Sequence, residues 1–194
     1  MSIIIDQLRI SDDSKRMYIN LHVNKAEYFD NIYLDSITIM TADKVSETNP
    51  NEPTEDFIYK KVFDDEVREA DLVLQPTDFN ENFMKSDFSR DLFFVFIKIK
   101  GVPDECTPCR LDEEITLAVT FDENMLHQKV MGFTKALADE CKTPVGFSDF
   151  ILLWNAFKAS VETEHYIPAI KYWKILVEDG ASFGITTKPC GCHG

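Results

Sequence analysis

The segment Leu92–Lys100, with the sequence LFFVFIKIK, decides the fold class of this chain. Its side chains alternate between two faces, and apolar residues occupy both faces as far as Ile97, which is typical of a strand in the middle of a sheet. A second segment, Ile115–Phe121, alternates apolar residues with Thr and Ala and predicts a neighbouring strand. The 14 residues between them, 101–114, hold two prolines and two cysteines and predict an unusually long loop.

Further strands precede this pair. Ile3–Ile10 and Met17–Val23 flank a turn rich in Asp and Ser, so they predict a hairpin. Ile32–Thr41 predicts a third strand, in which Asp35-Ser36 interrupts the alternation and indicates a β-bulge. Weaker patterns predict short strands at Phe57–Phe63 and Asp71–Leu74.

After Phe121 the apolar residues follow a helical period of about 3.6 residues and predict three helices. Asp122 is available to cap the first helix and Ser148 the second, and Pro168 suits the first turn of the third. The apolar stripe of the first helix is Leu126, Val130, Phe133, Leu137 and Cys141. Strands followed by helices predict an α+β fold, with an N-terminal antiparallel β-sandwich or sheet and a C-terminal helical region. We expect a β-rich domain over residues 1–121, a helical region over 122–180 and a flexible C-terminal tail over 181–194.

The composition of the chain disfavours several classes of function. The 194 residues include 34 acidic and 20 basic side chains, a formal net charge of −14, and 44% of them are hydrophobic. The apolar content predicts a folded globular protein, and the negative charge disfavours nucleic acid because phosphates are repelled. The longest apolar run, Leu92–Ile97, is far below the roughly 20 residues needed to cross a bilayer, and Met1–Asp6 has no basic start of a signal peptide. We therefore expect no membrane partner and no direct nucleic-acid binding.

The acidic residues are concentrated in one part of the sequence. Residues 52–91 hold 12 acidic and 5 basic side chains. Such a run is most often a solvated surface. An acidic patch for a basic partner is the alternative interpretation.

The cysteines give the sharpest chemical pattern. Cys106 and Cys109 form a C-x-x-C pair in the predicted loop, where both thiolates can face one tetrahedral metal ion. Cys190 and Cys192, next to His193, would complete a zinc site if the tail folds back onto that loop. Inert thiols in a reducing cytosol are the alternative, since the chain has an odd number of cysteines, five. The sequence holds no phosphate-binding loop, nucleophile elbow or metalloprotease motif, so we expect no enzyme and no cofactor other than zinc.

Aromatic residues crowd the second and third predicted helices. Most of them must lie in a core, but two helices carry more apolar surface than one facing sheet is expected to cover. Exposed aromatic patches mark contacts between subunits. The candidate interface residues are Phe150, Trp154, Phe157, Tyr172 and Trp173.

Three stretches resemble small virion proteins of crAss-like tailed bacteriophages. They are CTPC at 106–109, ITLAVTFD at 115–122 and FILLWNAFK at 150–158. The resemblance implies a structural protein of the phage particle, one subunit of a multi-copy ring in the head–tail connector or tail barrel, with no catalytic residue. It further implies copies of itself and other virion proteins, such as portal or tail components, as partners. A virion protein of this kind is made in the cytoplasm of the host bacterium.

Two other functions compete with a phage assembly protein. The first is a cytosolic zinc-binding protein–protein interaction module, in which the two cysteine pairs lock the tail against the loop at 101–114. The second is a small hydrolytic enzyme, for which the sequence names no residues. Zinc content and oligomeric state distinguish the phage assembly protein from the zinc-binding module.

Overall fold

The computed structural model describes residues 3–24, 31–46, 48–64, 66–89, 91–102, 111–120, 123–178 and 182–188. The chain forms two compact units, Met1–Asp122 and Glu123–Gly194. Strands dominate the first unit and helices the second, so the predicted α+β fold class is confirmed. No helix among the described residues is long and apolar enough to span a bilayer.

Seven strands of the described residues build two antiparallel sheets in the first unit. One sheet has the order β1-β2-β5 and the other the order β4-β3-β6-β7. The strands are β1 (Ile3–Ile10), β2 (Met17–Val23), β3 (Asn31–Thr41), β4 (Tyr59–Val62), β5 (Glu69–Leu74), β6 (Leu92–Val102) and β7 (Leu111–Thr120). The predicted hairpin of β1 and β2 is confirmed, and the predicted bulge appears as a register shift between Leu34 and Ser36.

Strand β6 lies between β3 and β7, as the two apolar faces of its sequence predict. Every residue from Leu92 to Ile97 is buried. The prediction of a 14-residue loop is wrong at both ends, because β6 continues to Val102 and β7 already begins at Leu111. Charged residues at 112–114 obscure this end of β7 in the sequence, but their backbones pair with residues 98–100 of β6.

The two sheets share one hydrophobic core. Backbone hydrogen bonds tie them together just before β5, where Arg68 O accepts from Val23 N at 2.9 Å and Val67 O accepts from Leu34 N at 2.7 Å. Neighbouring aromatic rings lie 5.2–5.9 Å apart at one end of this core. These rings belong to Tyr59, Phe79, Phe83, Phe88 and Phe93. The aromatic packing holds the segment 76–89, which has little regular secondary structure.

The second unit contains α1 (Glu123–Leu137), β8 (Lys142–Val145), α2 (Phe147–Glu162), α3 (Tyr166–Glu178) and β9 (Gly184–Thr187). Three helices are as predicted, but α1 ends earlier than its apolar stripe suggested. Leu137 is 62% exposed, and Asp139 closes a turn in which its Oδ1 accepts from Cys141 N at 3.0 Å. Helix α2 begins one residue before the predicted cap Ser148, with Gly146 as its N-cap.

Strands β8 and β9 form an antiparallel pair that the sequence does not reveal. The expectation of a flexible tail therefore needs correction for residues 184–187, which pair with residues 142–145. Gly146, directly after β8, has φ +67°, and a Cβ atom there would lie 3.0 Å from Ser182 O. This close approach requires glycine.

Candidate functional site

The aromatic residues predicted as an interface form the core of the second unit. The exposed fractions of Phe150, Trp154, Phe157 and Trp173 are 2%, 3%, 0% and 6%, and Tyr172 is partly buried. Phe183 covers this cluster from the tail side, with its ring 5.5 Å from that of Phe150. In the single chain four of these five side chains are buried, and their role in a contact between subunits stays a prediction.

The predicted metal ligands Cys106, Cys109, Cys190 and Cys192 lie outside the described residues, so the zinc prediction stays a prediction. The described part of the chain has no group of three or more His, Cys, Asp or Glu side chains placed to hold a metal ion. Cys141 is disulfide-bonded. Since the chain has five cysteines, a zinc site that uses all four predicted thiolates requires Cys141 in its reduced form.

An open pocket of about 540 Å³ lies on the first unit, between the 3-10 turn at Pro76–Asp78 and the segment 83–86. We call it the Met84 pocket. Phe79 and Phe83 provide its apolar wall, and Met84 at its edge is 88% exposed. Lys15 and Lys85 also belong to its lining. The pocket therefore combines an apolar wall with two lysine residues.

A buried carboxylate holds one of these lysines. Lys85 Nζ donates to Asp91 Oδ1 at 2.6 Å, and the exposed fractions of the two side chains are 57% and 2%. Burial raises the pKa of Asp91 and outweighs the opposing effect of the Lys85 ammonium. An ammonium group has three donors, and Asp91 uses one of them. The described residues offer Oδ2 of Asp91 no hydrogen-bond partner.

Another close ionisable pair is solvent-exposed. His22 Nδ1 and Asp6 Oδ2 are 2.6 Å apart on neighbouring strands, and the side chains are 35% and 45% exposed. They lie outside the Met84 pocket. The pair is therefore a surface contact between β1 and β2.

The two units differ sharply in charge. Residues 1–122 carry 26 acidic and 13 basic side chains, a net formal charge of −13, whereas residues 123–194 carry 8 acidic and 7 basic side chains, a net charge of −1. The division coincides with the change from strands to helices. Two first units of different copies therefore repel each other, and a first and a second unit do so far less.

Sequence reasoning missed the Met84 pocket. Its lining comes from a turn at Lys15 and from segments around Phe79 and Phe83, which have no periodic pattern. The one signal in the sequence is the pair of phenylalanines four residues apart, next to Met84-Lys85. That spacing alone does not distinguish a core turn from the wall of a pocket.

Comparisons with known proteins agree on one family. The family model of the crassvirus tail hub protein A matches residues 3–193. The chain is also 28% identical to the tail hub protein A of Bacteroides phage crAss001, over 97% of this chain and 99% of that protein. These matches confirm the predicted resemblance to virion proteins of crAss-like phages. The chain belongs to the crassvirus tail hub protein A family and is a structural protein of the phage tail.

Proposed function

We propose that this chain is one subunit of a multi-copy ring in the tail hub, at or near the connection between head and tail. The observation that carries the proposal is the family match over nearly the whole chain, residues 3–193. The subunit would contact copies of itself and neighbouring virion components, such as portal or other tail proteins. Its site of action would be the virion, after synthesis in the cytoplasm of the host bacterium.

The architecture supports a ring in which each subunit uses two different surfaces. Identical subunits close a ring when the contact is heterologous, so that one surface of a copy meets another surface of the next. The chain offers two compact units of different secondary structure and different charge. A contact between the first unit of one copy and the second unit of its neighbour avoids bringing two units of charge −13 together.

Mass spectrometry of purified virions, with quantification against a portal protein of known copy number, tests this function. We expect the chain in intact particles, in several copies for each particle. Carbodiimide treatment of the same virions should give a ladder of covalent multimers of the chain. A chain that is absent from virions, or present in a single copy, would contradict the proposal.

A further inference from the structure

We infer that the Met84 pocket of one copy receives the exposed face of α2 of a neighbouring copy, with Leu152 in the pocket and Asp149 beside Lys15. This inference rests on the proposed ring and names the contact that closes it. Both surfaces lie within the described residues.

The two apolar side chains of the proposed contact, Met84 and Leu152, are unusually exposed. Among the residues whose side-chain exposure the structure describes, Met84 and Leu152 are the most exposed large apolar side chains, at 88% and 68%. Met84 is unbranched, so it can adapt its shape to an incoming side chain. Leu152 lies on the face of α2 opposite Phe150, where the neighbouring positions Asp149 and Asn155 are exposed as well. A single leucine on a polar helix face matches one pocket better than an extended groove.

The charged residues next to the Met84 pocket and on the exposed face of α2 are also complementary. The pocket presents Lys15 and Lys85 on a unit whose net charge is −13. Asp149 precedes Leu152 by three residues, so the carboxylate and the leucine occupy adjacent positions on one helix face, about 5–6 Å apart between their Cβ atoms. A leucine that enters the apolar part of the pocket therefore brings a carboxylate to its lysines. The second unit, with a net charge of −1, approaches the acidic first unit without strong repulsion.

The pocket has the parts of a small anchor site. Phe79 and Phe83 are 9% and 7% exposed, so their positions are fixed by the core beneath them. Lys85 is held in place by its hydrogen bond to Asp91. A rigid apolar wall with oriented charges lowers the entropy cost of binding, since few groups have to be ordered.

A charge exchange tests the contact. Lys15→Glu and Asp149→Lys should each weaken self-association of the purified full-length chain about tenfold, and the double variant should regain most of the lost affinity. Sedimentation velocity measures the association constant. Lys44→Glu and Glu178→Lys, charge reversals at exposed positions outside the pocket and outside α2, should leave it unchanged. Circular dichroism and urea denaturation verify that each variant is folded.

Carbodiimide crosslinking of wild-type virions supplies the second readout. We expect a peptide that joins Lys15 to Asp149 in the covalent dimer of the chain and not in its monomer. The contact is refuted if virions yield multimers of the chain without this peptide, or if the double variant fails to regain affinity. In that case the ring itself still stands. If virions yield no multimers, the proposed ring fails instead, so the two failures are distinguishable.

Discussion

Replacing Trp154 by alanine tests whether the aromatic residues of the helical unit are core or interface. The side chain is 3% exposed in the single chain. Its ring lies 5.7 Å from that of Phe157 and 6.5 Å from that of Phe150, to which it is nearly parallel. A residue in this position stabilises its own unit whether or not another subunit is present.

The structure sets the magnitude of the effect. A buried aromatic side chain removes about 150–250 Å² from water, and alanine retains only a small part of that burial. At about 25 cal/mol for each Å² the loss is roughly 3–5 kcal/mol, which is the range measured for replacing buried aromatic residues by alanine. We therefore expect Trp154→Ala to lower the free energy of unfolding of the helical unit by about 3–5 kcal/mol.

Urea denaturation followed by tryptophan fluorescence measures this loss. The two tryptophans of the chain, Trp154 and Trp173, both belong to the second unit, so Trp173 remains as a probe of that unit in the variant. Leu152→Ala is the matched control on the same helix, because Leu152 is 68% exposed and its loss should change stability by about 0.5 kcal/mol or less. A loss below about 1 kcal/mol for Trp154→Ala would refute the assignment of this residue to the core.

Three other expectations follow from single positions. Gly146→Ala should lower the free energy of unfolding of the second unit by at least about 1–2 kcal/mol because φ is +67°. Gly132→Ala, the matched control, should raise it by about 0.5–1 kcal/mol. Changes of the same sign for both variants in urea denaturation would contradict this expectation. Burial raises the folded-state pKa of Asp91 above 3.8, so the folded chain holds the proton more tightly. The wild type should therefore lose stability relative to Asp91→Asn as the pH rises from about 3.8 through that raised pKa, and a relative gain over this interval would be inconsistent with it. For the predicted zinc site, elemental analysis should find zinc in the fully reduced chain and less zinc after oxidation, when Cys141 is disulfide-bonded. Less than about a tenth of an equivalent of zinc in the reduced chain would contradict the predicted site.

Several strands of the first unit could be predicted because the alternation of apolar residues in their sequence follows their burial. In β2 the residues Met17, Ile19, Leu21 and Val23 are buried while the residues between them are partly exposed, and the predicted bounds of this strand coincide with those in the structure. The interrupted alternation at Asp35 likewise marked the bulge in β3. In both cases the signal is local, so the sequence alone carries it.

Elements that depend on distant partners could not be predicted. Strand β8 is four residues long and contains Pro144, and its partner β9 lies about 40 residues further along the chain. The sequence predicts that aromatic residues of α2 stay partly exposed, because two helices carry more apolar surface than one facing sheet is expected to cover. Phe183 overturns that reasoning, since it packs on Phe150 and is itself only 8% exposed.

The burial of the helical core changes what a tail ring requires of this chain. In the part of the chain whose side chains the structure describes, the large aromatic residues of α2 are mostly buried, and the most exposed apolar side chains are Met84 and Leu152. A contact of that size is weak by itself, because the cost of association has to be offset first. In a closed ring, however, each subunit is held from both sides, and the last contact forms at a high effective concentration. A small apolar anchor with a pair of complementary charges would therefore contribute more to a closed ring than to an isolated dimer.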